Sequence, residues 1–140
     1  MRTITSTGQR KKTSWVLDIG SSPKLIVNEV ARTETDEWSR LAFGVHHIPT
    51  TDTLIKRFKE AFPNQTCNNG YDVYGAAAFD EQVVDLISKW FIELVTVLTA
   101  IQLEHGGDRF QVEGGISKRT DFLPTIRRTC RALESHIIVI

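Results

Sequence analysis

The sequence predicts an α/β domain, a mixed sheet with helices packed on it, and three observations predict it. Short runs rich in Val, Ile and Leu, bounded by Gly, Ser or Pro, occur near both ends of the chain. A long amphipathic stretch lies between them, and no internal repeat or composition break divides the 140 residues.

Taken in order, residues 1–13 read as a polar tail and residues 14–140 as the domain. Trp15–Ile19 and Lys24–Val30 read as two strands of a hairpin joined by Gly20-Ser21-Ser22-Pro23. A polar connection follows, anchored by Trp38 and Leu41. Thr51 or Asp52 is placed to cap a helix carrying Leu54, Ile55, Phe58, Ala61 and Phe62 on one face, and Pro63 stops it. "PNQTCNNG", Pro63 to Gly70, is dense in turn formers and reads as a loop. Its Asn64-Gln65-Thr66 matches the N-glycosylation pattern, which is short enough to arise by chance.

From Phe79 to Glu104 the spacing predicts a long helix. Val83, Ile87, Trp90, Leu94, Val97, Leu98 and Ile101 form its apolar side, and Glu81, Asp85, Lys89 and Glu93 a polar stripe. Gly106-Gly107 ends it, Arg109–Val112 alternates as a strand, and Thr120 or Asp121 caps a helix burying Leu123, Ile126, Cys130 and Leu133. "HIIVI" closes the chain as a strand.

Seventeen basic residues balance seventeen acidic ones, so no net field draws the chain to nucleic acid or an anionic membrane. The apolar stretch from Val83 to Leu103 is interrupted by Asp85, Lys89 and Glu93, which argues against a membrane span. Cys67 and Cys130 are far apart with no C-x-x-C spacing, which suits free thiols in a cytoplasmic protein.

Gly114-Gly115, between a strand and a helix, is either a plain turn or a place where backbone lies close to a ligand. Asp18 could approach a hydrated magnesium ion, although an Asp before Gly is more often a turn former. His46-His47 lack partners at metal-ligating spacing, and no metal site is expected. Lys118, Arg119, Arg127, Arg128 and Arg131 read as a solvated basic face, and Trp15, Trp38 and Trp90 as core or interface anchors.

From Tyr71 onward the chain resembles the C-terminal half of the ROK family, bacterial sugar kinases and related repressors with a ribonuclease-H-like, actin-like ATPase fold. Phe79-Asp80-Glu81-Gln82 stands where that family has "G-D-x-x-A", and Glu113-Gly114-Gly115-Ile116-Ser117 where it has "G-G-G-[IV]-S". Upstream, "EWSRLA" and "TDTLIKRFKEAF" resemble the segment before that half. "VLDIGSSPKLIVNEV" resembles the second phosphate motif, "I-G-T-G-I-G", and less economically the first, "D-I-G-G-T-K".

The resemblance implies ATP-dependent phosphoryl transfer to a sugar hydroxyl with magnesium. It implies nucleotide contacts at Gly20, Ser21 and Ser22 and at Gly114, Gly115, Ile116 and Ser117, and a homodimer or a companion lobe. The departures imply a truncated or degenerate member, inactive alone. Ser21-Ser22-Pro23-Lys24 replaces the phosphate glycines, and Pro23 removes one amide donor. Glu113 replaces the first glycine of the triple. The family's zinc module is missing, and no catalytic residue is assigned, because the family's catalytic aspartate belongs to the other lobe. The alternatives are a non-catalytic binding or dimerisation module, or the remnant of a ROK repressor. For the latter, the residues before Trp15 are too few for a winged helix-turn-helix, and DNA binding is not expected.

Overall fold

Alternation along the first strand decides which way the sheet faces. Trp15, Leu17 and Ile19 point to one side and are fully buried, whereas Val16 and Asp18 on the other are half-buried. The computed structural model describes residues 14–20, 24–27, 30–32, 48–105, 107 and 109–140. Expectations for the tail, for Ser21 to Pro23, for Trp38 and Leu41 and for His46-His47 lie outside these residues.

The sheet contains β1 (Ser14–Asp18), β2 (Lys24–Val27), β3 (Val30–Arg32), β4 (Arg109–Glu113) and β5 (Ile138–Val139). Its five strands run in the order β3-β2-β1-β4-β5. β2 lies antiparallel to β1, with Trp15 opposite Val27, and β3 antiparallel to β2. β4 is parallel to β1, and β5 parallel to β4. Three adjacent parallel strands thus carry an antiparallel meander on one side, the α/β arrangement that the sequence predicts. Lys24–Val30 is two strands and not one, because Val27 of β2 pairs antiparallel with Val30 of β3.

Among the described residues four helices cover the buried face: α1 (Thr51–Ala61), α2 (Gly70–Ala77), α3 (Glu81–His105) and α4 (Phe122–Ala132). α3 has 25 residues, about 37 Å at 1.5 Å per residue. All seven residues expected on its apolar side are buried, and its four-residue polar stripe is exposed. The helix begins at Glu81, two residues later than expected, because the Asp80 side chain accepts the Gln82 N–H at 2.9 Å and caps it. Trp15 stacks on its register partner Phe110 with centroids 5.9 Å apart, and Phe91 meets Trp90 at 5.1 Å and Phe122 at 5.3 Å. Sheet and helices so share one core, to which Leu54, Phe58, Val73, Ile126 and Val139 also contribute.

The caps correct the sequence reading by one residue. Thr50, in extended backbone, forms the capping box of α1 with Thr53: its hydroxyl accepts the Thr53 N–H at 3.2 Å and its own N–H donates to Thr53 Oγ1 at 3.1 Å. Thr51 is thereby turned inward, and Ala61 at the far end is exposed. α2 is a helix where a loop end was expected. Asn69 accepts the Asp72 N–H at 3.0 Å, so the Asn-Gly step that suggested a turn is a helix cap and first residue. At α4, Phe122 is buried in place of Leu133, which is exposed, and Leu123 is half-buried. The Asp121 side chain makes no cap hydrogen bond because Arg119 holds it.

Both cysteines are buried free thiols, and burial pushes both thiol pKa values up. Among the described residues no helix is long and apolar enough to cross a membrane.

One buried hydrogen bond ties α3 to the start of α1: Trp90 Nε1 donates to Thr50 O at 2.8 Å. Trp90→Phe removes the indole donor, leaving Thr50 O to the Leu54 N–H alone, and opens a small cavity, and is expected to lower the unfolding free energy by about 2–3 kcal/mol. Urea denaturation checks this as a lower midpoint at unchanged slope.

Candidate functional site

Because β1 and β4 are parallel and in register from Ser14↔Arg109 to Asp18↔Glu113, both strands end at the same edge of the sheet. Ile19 extends the pairing by donating its N–H to Glu113 O at 2.9 Å. The turn after β1 and the Gly114-Gly115 turn after β4 therefore lie side by side. Carboxyl ends of parallel strands are where open α/β sheets bind ligands.

The two glycines are required by conformation and by space. Gly114 has φ 82° and Gly115 φ 51°, left-handed values that an L side chain adopts at a cost. A Cβ on Gly114 would strike the Asp18 carboxylate, and one on Gly115 the Thr51 side chain. Gly70, the first residue of α2, fits as closely: its Cβ would stand 2.5 Å from Ile116 Cγ2 and 2.7 Å from Thr51 Cγ2. The starts of α1 and α2 thus converge with the ends of β1 and β4 on one point.

After the glycines the chain does not enter a helix directly, as the sequence suggested, but makes a 3-10 turn, Gly115–Lys118. Ser117 N–H returns to Gly114 O at 3.1 Å. Ile116 is fully buried, and its N–H donates to Thr51 Oγ1 at 3.3 Å. The Gly20 N–H donates to Asp18 Oδ1 at 2.8 Å, the turn-forming role of a strand-end Asp. Of the seven residues singled out for nucleotide contact, Gly20, Gly114, Gly115, Ile116 and Ser117 are brought together, and Ser21 and Ser22 lie outside the described residues.

This geometry tests the fit of a nucleotide. Three amides that could face phosphates, those of Gly20, Ile116 and Ser117, are taken by Asp18, Thr51 and Gly114. Asp18 and Glu113 also set two carboxylates at the ends of adjacent strands. Phosphate is poorly served by the described residues; on the 3-10 turn Ile116 is buried and Ser117 half-buried. No group of three or more His, Cys, Asp or Glu among the described residues could hold a metal ion.

Beyond the turn stands a cluster that the sequence did not suggest. The Arg119 guanidinium lies 3.9 Å from the Tyr74 ring centroid and donates to Asp121 at 2.9 and 3.1 Å. Burial, with Asp121 nearby, pushes the Tyr74 phenol up to about 12. The Arg119 hydrogen bonds hold the Asp121 carboxyl below its usual range. Tyr74, Thr51 and Gly70 were missed because Gly70 was read as the end of a loop, no element was assigned between it and Phe79, and the α1 cap was placed one residue late. Two basic residues within α4 are engaged differently: Arg127 donates to Val139 O at 2.9 Å, and Arg128 to Thr125 Oγ1 at 3.3 Å.

Neither a protein-family profile nor a curated protein sequence matches the chain. Solved structures do. A ROK family protein from Streptococcus pneumoniae in complex with sucrose superposes with TM-score 0.63 at 18% identity, over 91% of this chain and 49% of that one. A Listeria monocytogenes protein proposed to be an N-acetylmannosamine kinase gives 0.69 at 15%, over 96% and 53%. A ROK family glucokinase from Streptomyces griseus, in complex with glucose and AMPPNP, gives 0.56 at 15%, over 89% and 52%. The fold is that of one half of the ROK proteins, and the chain spans about half the length of the structures it matches.

Gly114→Ala and Gly115→Ala are each expected to cost about 2–4 kcal/mol of unfolding free energy. Gly75→Ala, in the exposed middle of α2 with nothing within 4 Å, should gain about 0.5–1 kcal/mol. Chemical denaturation of the three variants checks the contrast. The Asp121 carboxyl, lowered in the folded chain, contributes stability above its unfolded pKa and loses it as pH falls through the folded one. Asp121→Asn should therefore flatten the acid limb of the stability profile, by a small amount because the pair is exposed.

Proposed function

We propose that this chain is a ROK-type, sugar-kinase-like half-domain that contributes the adenosine edge of a nucleotide cleft and carries out no phosphoryl transfer by itself. The observation that supports it is the convergence of Gly20 and Gly114–Ser117 at the shared carboxyl edge of two parallel strands, in the fold of one half of the ROK proteins. ATP bound across a complete cleft would supply the phosphoryl group, with magnesium neutralising its charge. What these residues do is narrower. The 3-10 turn presents backbone and Ser117 to the ribose side, and the Tyr74–Arg119 stack four residues beyond Gly115 offers a planar surface to the base. The sugar and the base that deprotonates it belong to the other lobe of the family's cleft, on the same or another polypeptide.

The phosphate side is the degenerate part. With the three amides engaged internally and two carboxylates at the strand ends, the triphosphate gains little over the nucleoside. Calorimetric titration should therefore give adenosine and ATP–magnesium Kd values within about threefold of each other. Ser117→Tyr, a bulky change at a half-buried rim position, should abolish both without lowering the melting temperature. No heat with either ligand rejects the reading, and a coupled assay over a panel of sugars should show no turnover.

One observation favours a second reading, an assembly module. Ile92 and Leu133 are exposed and, with Ile87, Phe91 and Ala132, line a groove between α3 and α4. Trp15 and Trp90 are fully buried and play no part in that surface. Light scattering that finds a folded monomer at high concentration counts against it.

A further inference from the structure

We infer that Thr51 is the positioning residue of the glycine turn: its hydroxyl, more than its bulk, holds the Gly114–Ser117 backbone in the shape that the adenosine edge needs. The inference rests on the nucleotide reading of that edge for its ligand, and on the geometry alone for the turn.

Thr51 is only 7% exposed although it is the first residue of a helix. Its backbone N–H donates to Ile19 O at 2.8 Å, fixing it to the end of β1. The preceding carbonyl, Thr50 O, is held by Trp90 at 2.8 Å, so the residue cannot swing with α1. From this fixed place Oγ1 accepts the N–H of Ile116 at 3.3 Å, in a setting where that buried amide has no water to turn to. The methyl group fills the space that Gly70 leaves open, and the hydroxyl and Cβ fill the space over Gly115. Three elements with no sequence proximity are registered on one residue, β1 through its backbone N–H and α2 and the 3-10 turn through its side chain.

Shape and hydrogen bond can be separated, because valine matches threonine in volume and lacks the acceptor, whereas serine keeps the acceptor and loses the methyl. Hydrogen exchange of the Ile116 amide and adenosine titration are measured on the wild type, Thr51→Val and Thr51→Ser. Thr51→Val should speed Ile116 exchange about tenfold or more relative to the amides of α3, and raise the adenosine Kd about tenfold, the equivalent of one lost hydrogen bond. Thr51→Ser should stay within about twofold of wild type on both. If Thr51→Val does not fold, Thr51→Ala, which deletes the same hydroxyl, carries the comparison.

Unchanged Ile116 protection in the hydroxyl-less variant overturns the inference, as does Thr51→Ser behaving like Thr51→Val. A wild type that binds no adenosine rejects the nucleotide reading alone, and the exchange measurement still decides whether Thr51 holds the turn.

Discussion

The parallel pairing of β1 with β4 is the constraint on which the rest of the structure depends. An antiparallel pair would send the two strand ends to opposite edges of the sheet, and Gly20 would be far from Gly114. Parallel pairing needs a long crossover, and α1, α2 and α3 supply it on the face where Trp15, Leu17 and Phe110 ask to be covered. α3 is the part of that crossover that makes the core continuous. Its buried side reaches from the aromatic group around Trp90 and Phe91 to Ile101, and α4 closes on it through Phe122.

The edge that results is crowded. Asp18, Thr51, Gly70 and Ile116 approach so closely that two glycines must take left-handed conformations and a third must lack a side chain. The amides of Gly20, Ile116 and Ser117 are spent on holding the edge together. Likeness in fold and the handling of phosphate rest on different things. The fold follows from strand direction and apolar spacing, whereas phosphate handling depends on a few donors and on the sign of nearby charge.

Much of the fold was legible in the sequence because it rests on periodicity. α3 was visible from its apolar residues three and four apart, β1 and β4 from alternation, and the terminal strand from "IIVI". What was not legible depended on competition between local meanings of the same residues. Asn69-Gly70 is a turn signal and also a helix cap with a helix start, and only the close contact of Gly70 with Ile116 selects the second. Thr51 or Asp52 was the expected cap of α1, and the choice falls to Thr50, whose hydroxyl and N–H pair reciprocally with Thr53. The glycine pair of the site was visible as an oddity. Thr51 and the Tyr74–Arg119 stack were not, since nothing local marks a residue whose partner lies 65 positions away.

The side-chain positions denied to Gly114 and Gly115 are filled by the protein's own Asp18 and Thr51. The space over each glycine is already occupied by the protein itself. A descendant of this fold that had ceased to touch nucleotides would keep the same pair, since replacing either one breaks the meeting of strand and helix first. As a signature for finding chains with a working cleft, the Gly-Gly step reports architecture and says little about occupancy. Beside it stands Glu113, in register with Asp18 at the ends of the two strands, where charge and not backbone shape meets whatever approaches the edge.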